Sequence, residues 1–159
     1  MARFPITPKG LLKLQAELKR IRSVERPAIV RAIEEALAHG DLSENAEYHA
    51  AKDRQGQIEG QLRYVEGRIA SAEVIDPATL SGDRVVFGAT VVLVDLDNEA
   101  APPVRYQIVG ESEASIEEGT ISFSSPVGRA LIGKNEGDEA LVVTPGGRRR
   151  MLIDEVSFG

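Results

Sequence analysis

The spacing of apolar residues divides the chain into two halves. In the first half, residues 11–21 place leucine and isoleucine three and four positions apart, and residues 48–72 repeat this spacing without a slip. Both patterns are typical of helices that pack along a narrow seam, as in a coiled coil. The break near residues 39–43 is too short for anything but an antiparallel turn. The first half therefore predicts an antiparallel helical hairpin, whose arms of roughly 30 residues would reach ~45 Å at ~1.5 Å per residue.

Local signals indicate where these helices begin, bend and end. Thr7 before Pro8 is a preferred N-cap followed by proline at the first helical position. Pro27 predicts a bend, because its ring clashes with the carbonyl of Ser23. Pro77 predicts the end of the second helix. The predicted seam residues are Leu11, Leu14, Leu18 and Ile21 on the first arm, and Tyr48, Ala51, Gln55, Ile58, Leu62, Val65, Ile69 and Ala72 on the second.

The second half has the alternating, β-branched pattern of strands. Turn-forming residues separate the strand-like segments, and Ser125–Pro126 and Gly133 delimit one short helix over residues 125–133. This half predicts a small antiparallel sheet with one helix, so the whole chain belongs to the α+β class. We expect the hairpin over residues 1–76, a linker over 77–82 and the sheet domain over 83–159. The predicted strands are 89–96, 104–110, 119–123, 139–144 and 150–158.

Composition and charge narrow the function classes. The 159 residues include no cysteine, which excludes disulfides, thiol catalysis and thiolate metal sites. Residues 1–76 carry 12 basic and 12 acidic side chains, whereas residues 77–159 carry 7 and 13. An acidic second half argues against binding nucleic acid through its phosphates. The N-terminal sequence has no signal-peptide pattern and no apolar run spans a membrane, so we expect a soluble, cytoplasmic protein without a membrane partner.

The predicted tip of the hairpin is rich in acids. Asp41, Ser43, Glu44 and Glu47 crowd one turn, over residues 39–47. One interpretation is structural: Gly40 ends the first helix, and Asp41-x-x-Glu44 has the spacing of a capping box that begins the second. The other is functional, because one cap needs only one side chain and a long, narrow arm suits insertion into a cleft. Two carboxylates are too few for a magnesium site of their own, so any Mg²⁺ would be shared with another molecule.

Other candidate sites are weaker. Residues 95–99 begin like a calcium loop but lack its glycine and its closing glutamate, so a solvated hairpin loop is the better interpretation. His39 and His49 have no second ligand at metal-binding spacing and are expected on the surface near the tip. The three arginines at 148–150 are expected to alternate across a strand. The basic residues of the arms are balanced by acids, which leaves open a local basic patch that touches the end of a nucleic acid.

The chain resembles the bacterial transcript-cleavage (Gre) factors over essentially its whole length. The most specific stretch is HGDLSENAEYHAAK (39–52), and five further stretches support it in the same order. These are SVERPAIVRAI (23–33), VVFGATV (85–91) with YQIVG (106–110), ISFSSPVGRALIGK (121–134) and VVTPGG (142–147). A related group of proteins with this architecture inhibits RNA polymerase and has more aspartates at its tip. The Asp41/Glu44 pattern of this chain differs from that tip.

The resemblance implies a fold and a function. The fold would be an antiparallel coiled coil followed by an FKBP-like domain. The protein would bind RNA polymerase at its secondary channel and stimulate cleavage of backtracked transcripts, with the RNA 3′ end nearby. Asp41 and Glu44 would help to hold a second Mg²⁺ shared with the polymerase and to orient the attacking water, with Ser43 as an auxiliary. No cofactor of its own and no enzymatic activity of its own are expected, and the acting form would be monomeric. The alternatives are a coiled-coil adaptor, a channel-binding inhibitor without cleavage stimulation, or a metal-dependent hydrolase.

Overall fold

The computed structural model describes residues 3–40 and 45–159, and these form two compact units. One unit comprises Leu11–Ala72, and the other comprises residues 3–10 together with Glu73–Gly159. The first unit is helical and the second is built on a sheet. The α+β class predicted from the two periods is therefore confirmed.

Three α-helices make up the helical part. Helix α1 spans Pro8–Arg20, α2 spans Arg26–Leu37 and α3 spans Ala46–Ala70, and a π-helical turn, Ile21–Glu25, joins α1 to α2. The hydroxyl of Thr7 accepts a hydrogen bond from the backbone N–H of Gly10 at 3.1 Å, so Thr7 is the N-cap that the sequence predicts.

The apolar seam lies between the helices as its spacing predicts. On α3, the seam residues Ile58, Leu62 and Val65 are each 4% exposed or less, because they face the first arm. Leu11, Leu18, Tyr48, Gln55, Ile69 and Ala72 are partly buried. The buried members of the predicted seam are Leu14, Ile21, Ala51, Ile58, Leu62 and Val65.

A π-helical turn directly precedes Arg26 and Pro27, next to the position where the sequence predicts a bend. The N–H of Arg26 donates to the carbonyl of Ile21, five residues earlier instead of four. Pro27 has no N–H to donate to the carbonyl of Ser23, and a wider turn gives its ring room beside that carbonyl. The Ser23 hydroxyl donates to the carbonyl of Lys19 at 2.6 Å within the same stretch.

Polar contacts across the arms show that they run antiparallel. Arg22 Nη2 donates to Glu66 at 2.8 Å, and Arg26 Nε donates to Glu59 at 2.8 Å. Farther along the first arm, the carbonyl of Ala36 accepts from the side-chain amide of Asn45 at 2.6 Å. Positions that advance along one arm pair with positions that retreat along the other, as an antiparallel hairpin requires.

Five strands form the sheet of the second unit. Strand β3 spans Thr90–Asp95, β4 Val104–Val109, β5 Thr120–Ser122, β6 Glu139–Thr144 and β7 Gly147–Ser157, in the spatial order β5-β4-β3-β7-β6. Strands β3, β4, β6 and β7 pair antiparallel, with a register shift between Val92 and Leu93 opposite β7.

The sheet is mixed, which corrects the prediction of an antiparallel sheet. Strand β5 pairs parallel to β4, with Ile108 opposite Ile121. The connection over residues 110–119 carries the chain back before β5 begins, so the two strands run in the same direction. Strand periodicity reveals which residues face the core, but it does not reveal the direction of the neighbouring strand.

Helix α4, Pro126–Leu131, covers part of the sheet's core. The hydroxyl of Ser125 accepts from the N–H of Gly128 at 3.1 Å, so the predicted Ser-Pro start of this helix is confirmed. Gly133 follows the helix with φ +90°, a conformation that favours glycine. The buried core of this unit comprises Val85, Ala89, Val91, Leu93, Ile108, Ile121, Leu131, Ala140, Ile153 and Val156.

A second, two-stranded sheet was not predicted. Strand β1, Phe4–Ile6, pairs with β2, Ala72–Val74, and the N–H of Ile75 donates to the carbonyl of Ile6 at 2.9 Å. Next to it, the Glu113 carboxylate accepts hydrogen bonds from the Thr7 hydroxyl and N–H and from the N–H of Gly110. Three-residue strands are too short to show an alternating pattern, so this sheet could not be predicted from the spacing of apolar residues.

The helices of residues 3–40 and 45–159 include none that is both long and apolar enough to cross a membrane.

Candidate functional site at the hairpin tip

The first arm ends in a well-defined turn before the acidic segment. Helix α2 ends at Leu37, and the N–H groups of Ala38 and His39 donate to the carbonyls of Glu34 and Ala36 at 3.2 Å. Gly40 follows with φ +113°. The sequence prediction that glycine ends this arm in a positive-φ conformation is therefore confirmed.

The second arm begins with Asn45 as its N-cap. The Asn45 side-chain oxygen accepts a hydrogen bond from the N–H of Tyr48 at 3.0 Å, and α3 starts at Ala46. This corrects the predicted capping box, in which Asp41 caps the helix and Glu44 lies in its first turn. Both acids precede Asn45 and the start of α3 in the sequence.

The predicted site residues Asp41, Ser43 and Glu44 lie outside the described residues. Their proposed roles stay predictions. The positions on either side of them, Gly40 and Asn45, are described.

The first turn of α3 places further predicted residues beside this segment. Glu47 is exposed in that turn, where a carboxylate is favoured by the helix dipole. Tyr48 is half-buried, and its ring meets His49 edge to face with centroids 5.5 Å apart. His39 and His49 are both exposed, as expected. Tyr48 therefore packs near the tip, and its backbone N–H completes the Asn45 cap.

Asn45 is the residue that sequence reasoning missed. Asparagine ranks among the preferred N-cap residues, and Asn45 stands three positions before Tyr48, the first residue of the α3 seam. That spacing was a usable signal. It was hidden because Asp41 and Ser43, which are also good caps, compete for the same role.

Asp95 and Asp97 have partners of their own. Asp95 Oδ2 accepts from Arg149 at 2.9 Å, and Asp97 accepts from both the backbone N–H and the guanidinium of Arg150, at 3.0 Å each. These bonds from Arg150 lower the pKa of Asp97 and raise that of the guanidinium. The arrangement favours a structural loop, as expected, over a calcium site.

Metal-binding chemistry is not concentrated elsewhere. Within residues 3–40 and 45–159, no group of three or more histidine or acidic side chains is placed to hold a metal ion. Asp41 and Glu44, with the hydroxyl of Ser43, stay the oxygen donors that the sequence predicts for a shared ion. Carboxylate and hydroxyl oxygens are hard donors of the kind that Mg²⁺ takes.

Comparison with known proteins assigns both units to one family. A family model described as "Transcription elongation factor, N-terminal" matches residues 4–74, and one described as "Transcription elongation factor, GreA/GreB, C-term" matches residues 80–158. The chain belongs to the GreA/GreB family of transcription elongation factors, and it is most like GreA.

Curated relatives match over nearly the full length. Transcription elongation factor GreA of Anaeromyxobacter sp. (strain K) is 57% identical over 99% of this chain and 94% of its own. The same factor of Jannaschia sp. (strain CCS1) is 56% identical over 99% of both chains. Among solved structures, that of GreA factor homolog 1 (Gfh1) of Thermus thermophilus is 25% identical over 97% of this chain and 98% of that one, with a TM-score of 0.44.

Proposed function

We propose that this elongation factor binds RNA polymerase through its secondary channel and stimulates the polymerase's own cleavage of backtracked transcripts. The observation that carries the proposal is the position of the acids. In the sequence, Asp41 and Glu44 fall in the short connection between two antiparallel arms, and the N-cap of α3 is Asn45. Membership in the elongation-factor family supports the same partner.

In the polymerase active centre, the tip residues would orient the attacking water and help to hold a Mg²⁺ ion. Asp41 and Glu44 would accept hydrogen bonds from the attacking water and orient it toward the phosphodiester near the RNA 3′ end. Ser43 would assist as a further hydrogen-bonding group. Together with the polymerase, the two carboxylates would hold a Mg²⁺ ion, which supplies charge stabilisation in phosphodiester cleavage. The polymerase, and not this chain, would be the enzyme.

The hairpin is suited to carrying these groups. Its arms are joined by the apolar seam and by charged contacts such as Arg22–Glu66, so the tip is presented on a packed pair of helices. A single chain would act in the cytoplasm, where the polymerase works, and no cofactor of its own would be required.

The decisive experiment is transcript cleavage in stalled, backtracked complexes. We expect the Asp41→Ala/Glu44→Ala double variant to lose stimulation at saturating concentration while still competing with the wild-type factor for polymerase. A matched control is Glu34→Ala/Asp53→Ala, which removes the same two charges from exposed positions on the arms and should stimulate normally. Stimulation that survives the double change at the tip would contradict the proposal.

Cleavage measurements on the wild-type protein, with and without polymerase, distinguish two alternative functions from the proposed one. A channel-binding inhibitor would compete for polymerase without stimulating cleavage in its wild-type form. A hydrolase would cleave RNA with Mg²⁺ in the absence of polymerase, and we expect no such cleavage.

A further inference from the structure

One side chain, Asn45, connects the two arms directly at the ends that border the acidic segment. Its Oδ1 accepts from the N–H of Tyr48 at 3.0 Å, and its Nδ2 donates to the carbonyl of Ala36 at 2.6 Å. The first contact caps the start of α3. The second contact reaches the last turn of α2, nine residues earlier in the chain.

The two contacts require the same orientation of the amide. A backbone N–H must meet the side-chain oxygen, and a backbone carbonyl must meet the side-chain nitrogen. Asn45 is half-buried and Ala36 is 2% exposed. Because the carbonyl of Ala36 also accepts from the N–H of His39, the bond from Asn45 is not needed to satisfy that carbonyl, and its effect is to fix the side chain of Asn45 relative to α2. Asn45 is thus held in one position relative to both helices.

The chain between these fixed points is short. From Ala36 the chain passes through Gly40, which has φ +113°, and returns to Asn45. Any displacement of Asn45 relative to Ala36 would change the separation of the ends of the segment that contains Asp41 and Glu44. Effects of small displacements on catalytic groups are large: a misplacement of ~1 Å can cost up to about a hundredfold in rate.

We propose that Asn45 is a positioning residue: by bonding the α2 carbonyl and the α3 N–H together, it sets where Asp41 and Glu44 are presented. The inference rests on the proposed function and deepens it. It assigns to Asn45 a part in transcript cleavage that goes beyond starting a helix.

Asparagine is suited to both contacts where other capping residues are not. Aspartate and serine cap helix N-termini about as well as asparagine does. A carboxylate has no N–H for the carbonyl of Ala36 and would place a negative charge beside it. The Asn45→Asp substitution therefore keeps the cap of α3 and removes the connection to α2, which separates the two roles.

The test measures cleavage of backtracked complexes as a function of factor and Mg²⁺ concentration. We expect Asn45→Asp to lower the maximal rate at saturating factor by about tenfold. The same variant should require more Mg²⁺ for half-maximal cleavage, while its affinity for polymerase and its thermal unfolding midpoint stay close to wild type. Asn45→Ala should show the same cleavage defect and, in addition, a lower unfolding midpoint, because it also loses the cap. Asn98→Asp, the same change at an exposed position of the second unit, is the matched control and should resemble wild type.

Two results would overturn the inference. Asn45→Asp could cleave at the wild-type rate with the wild-type Mg²⁺ dependence, which would show that the bond to Ala36 is dispensable. Alternatively, Asn45→Asp could lose polymerase affinity in proportion to its rate, which would indicate only a structural role. Failure of the proposed function looks different, because there the Asp41→Ala/Glu44→Ala variant itself would retain stimulation.

Discussion

Arg26 and Glu59 face each other across the hairpin and share a two-pronged ion pair. The Nε and Nη2 atoms of Arg26 each donate a hydrogen bond of 2.8 Å to a different oxygen of the Glu59 carboxylate. Hydrogen bonding from Arg26 lowers the pKa of Glu59, and the carboxylate in turn raises the pKa of Arg26. Arg26 lies one residue beyond the π-helical turn, where the helical hydrogen-bonding pattern of the first arm changes.

The lowered pKa of Glu59 predicts a pH-dependent contribution to hairpin stability. A carboxylate whose pKa is depressed by folding stabilises the folded state above its ordinary value of 4.5, and this contribution is lost as the pH falls through the folded-state pKa. Glu59→Gln should therefore lower the thermal unfolding midpoint at pH 7, and the difference from wild type should shrink as the pH is lowered below 4.5. Circular dichroism melts over a pH series measure this difference.

The matched control for Glu59 is Asp53→Asn, which neutralises an exposed acid on the same helix and should change the midpoint less at pH 7. A deficit of Glu59→Gln that stays constant down to acidic pH would show that packing of the side chain, not its charge, is responsible.

The apolar seam was predictable from the sequence because its spacing is a local property. Leu62 and Val65 are buried where the heptad-like spacing places them. The pairing of Arg26 with Glu59 was not predictable, because each arm carries several long charged side chains and spacing does not select among them. The choice depends on how the two arms are aligned, and this alignment is a tertiary property.

The start of α3 shows the same limit at the candidate site. The sequence offers Asp41, Ser43 and Asn45 as N-caps, and propensity ranks them almost equally. The additional bond from Asn45 to the carbonyl of Ala36 favours Asn45, and this bond exists only when the two arms are already packed. Asp41 and Glu44 could be identified from the sequence, by the density of acids and by the resemblance. The contact of Asn45 with both arms could be identified only from the structure.

The backbone carbonyls of Ser122 and Phe123 approach Gly128 of α4 closely. Adding a methyl group at this position should therefore have a large effect on stability. A Cβ atom added there would lie 2.3 Å from the carbonyl oxygen of Ser122 and 3.0 Å from that of Phe123. Both are backbone atoms that cannot rotate away, so Gly128→Ala should destabilise the sheet unit by about 1–3 kcal/mol or more through overpacking. Urea unfolding monitored by circular dichroism measures the loss.

A control for Gly128→Ala is the same substitution at Gly56 in α3, where an added Cβ has no described atom within 4 Å. Alanine is favoured over glycine inside a helix, so Gly56→Ala should stabilise the hairpin by up to about 1 kcal/mol. Equal stability of Gly128→Ala and wild type would show that α4 shifts away from residues 122–123 at little cost.

Gly40 borders the predicted site, so a substitution there tests both the stability of the hairpin and the proposed function. Its φ of +113° is strained for any residue with a side chain, although an added Cβ would have no described atom within 4 Å. The cost of Gly40→Ala is therefore conformational and not steric, and we expect about 1–3 kcal/mol of destabilisation. If the turn relieves the strain by changing its backbone path, cleavage stimulation should fall even where the variant is fully folded. Urea unfolding combined with cleavage at saturating factor distinguishes these effects, with Gly56→Ala again as the control. A Gly40→Ala protein that is as stable and as active as wild type would show that the positive φ is not needed for either property.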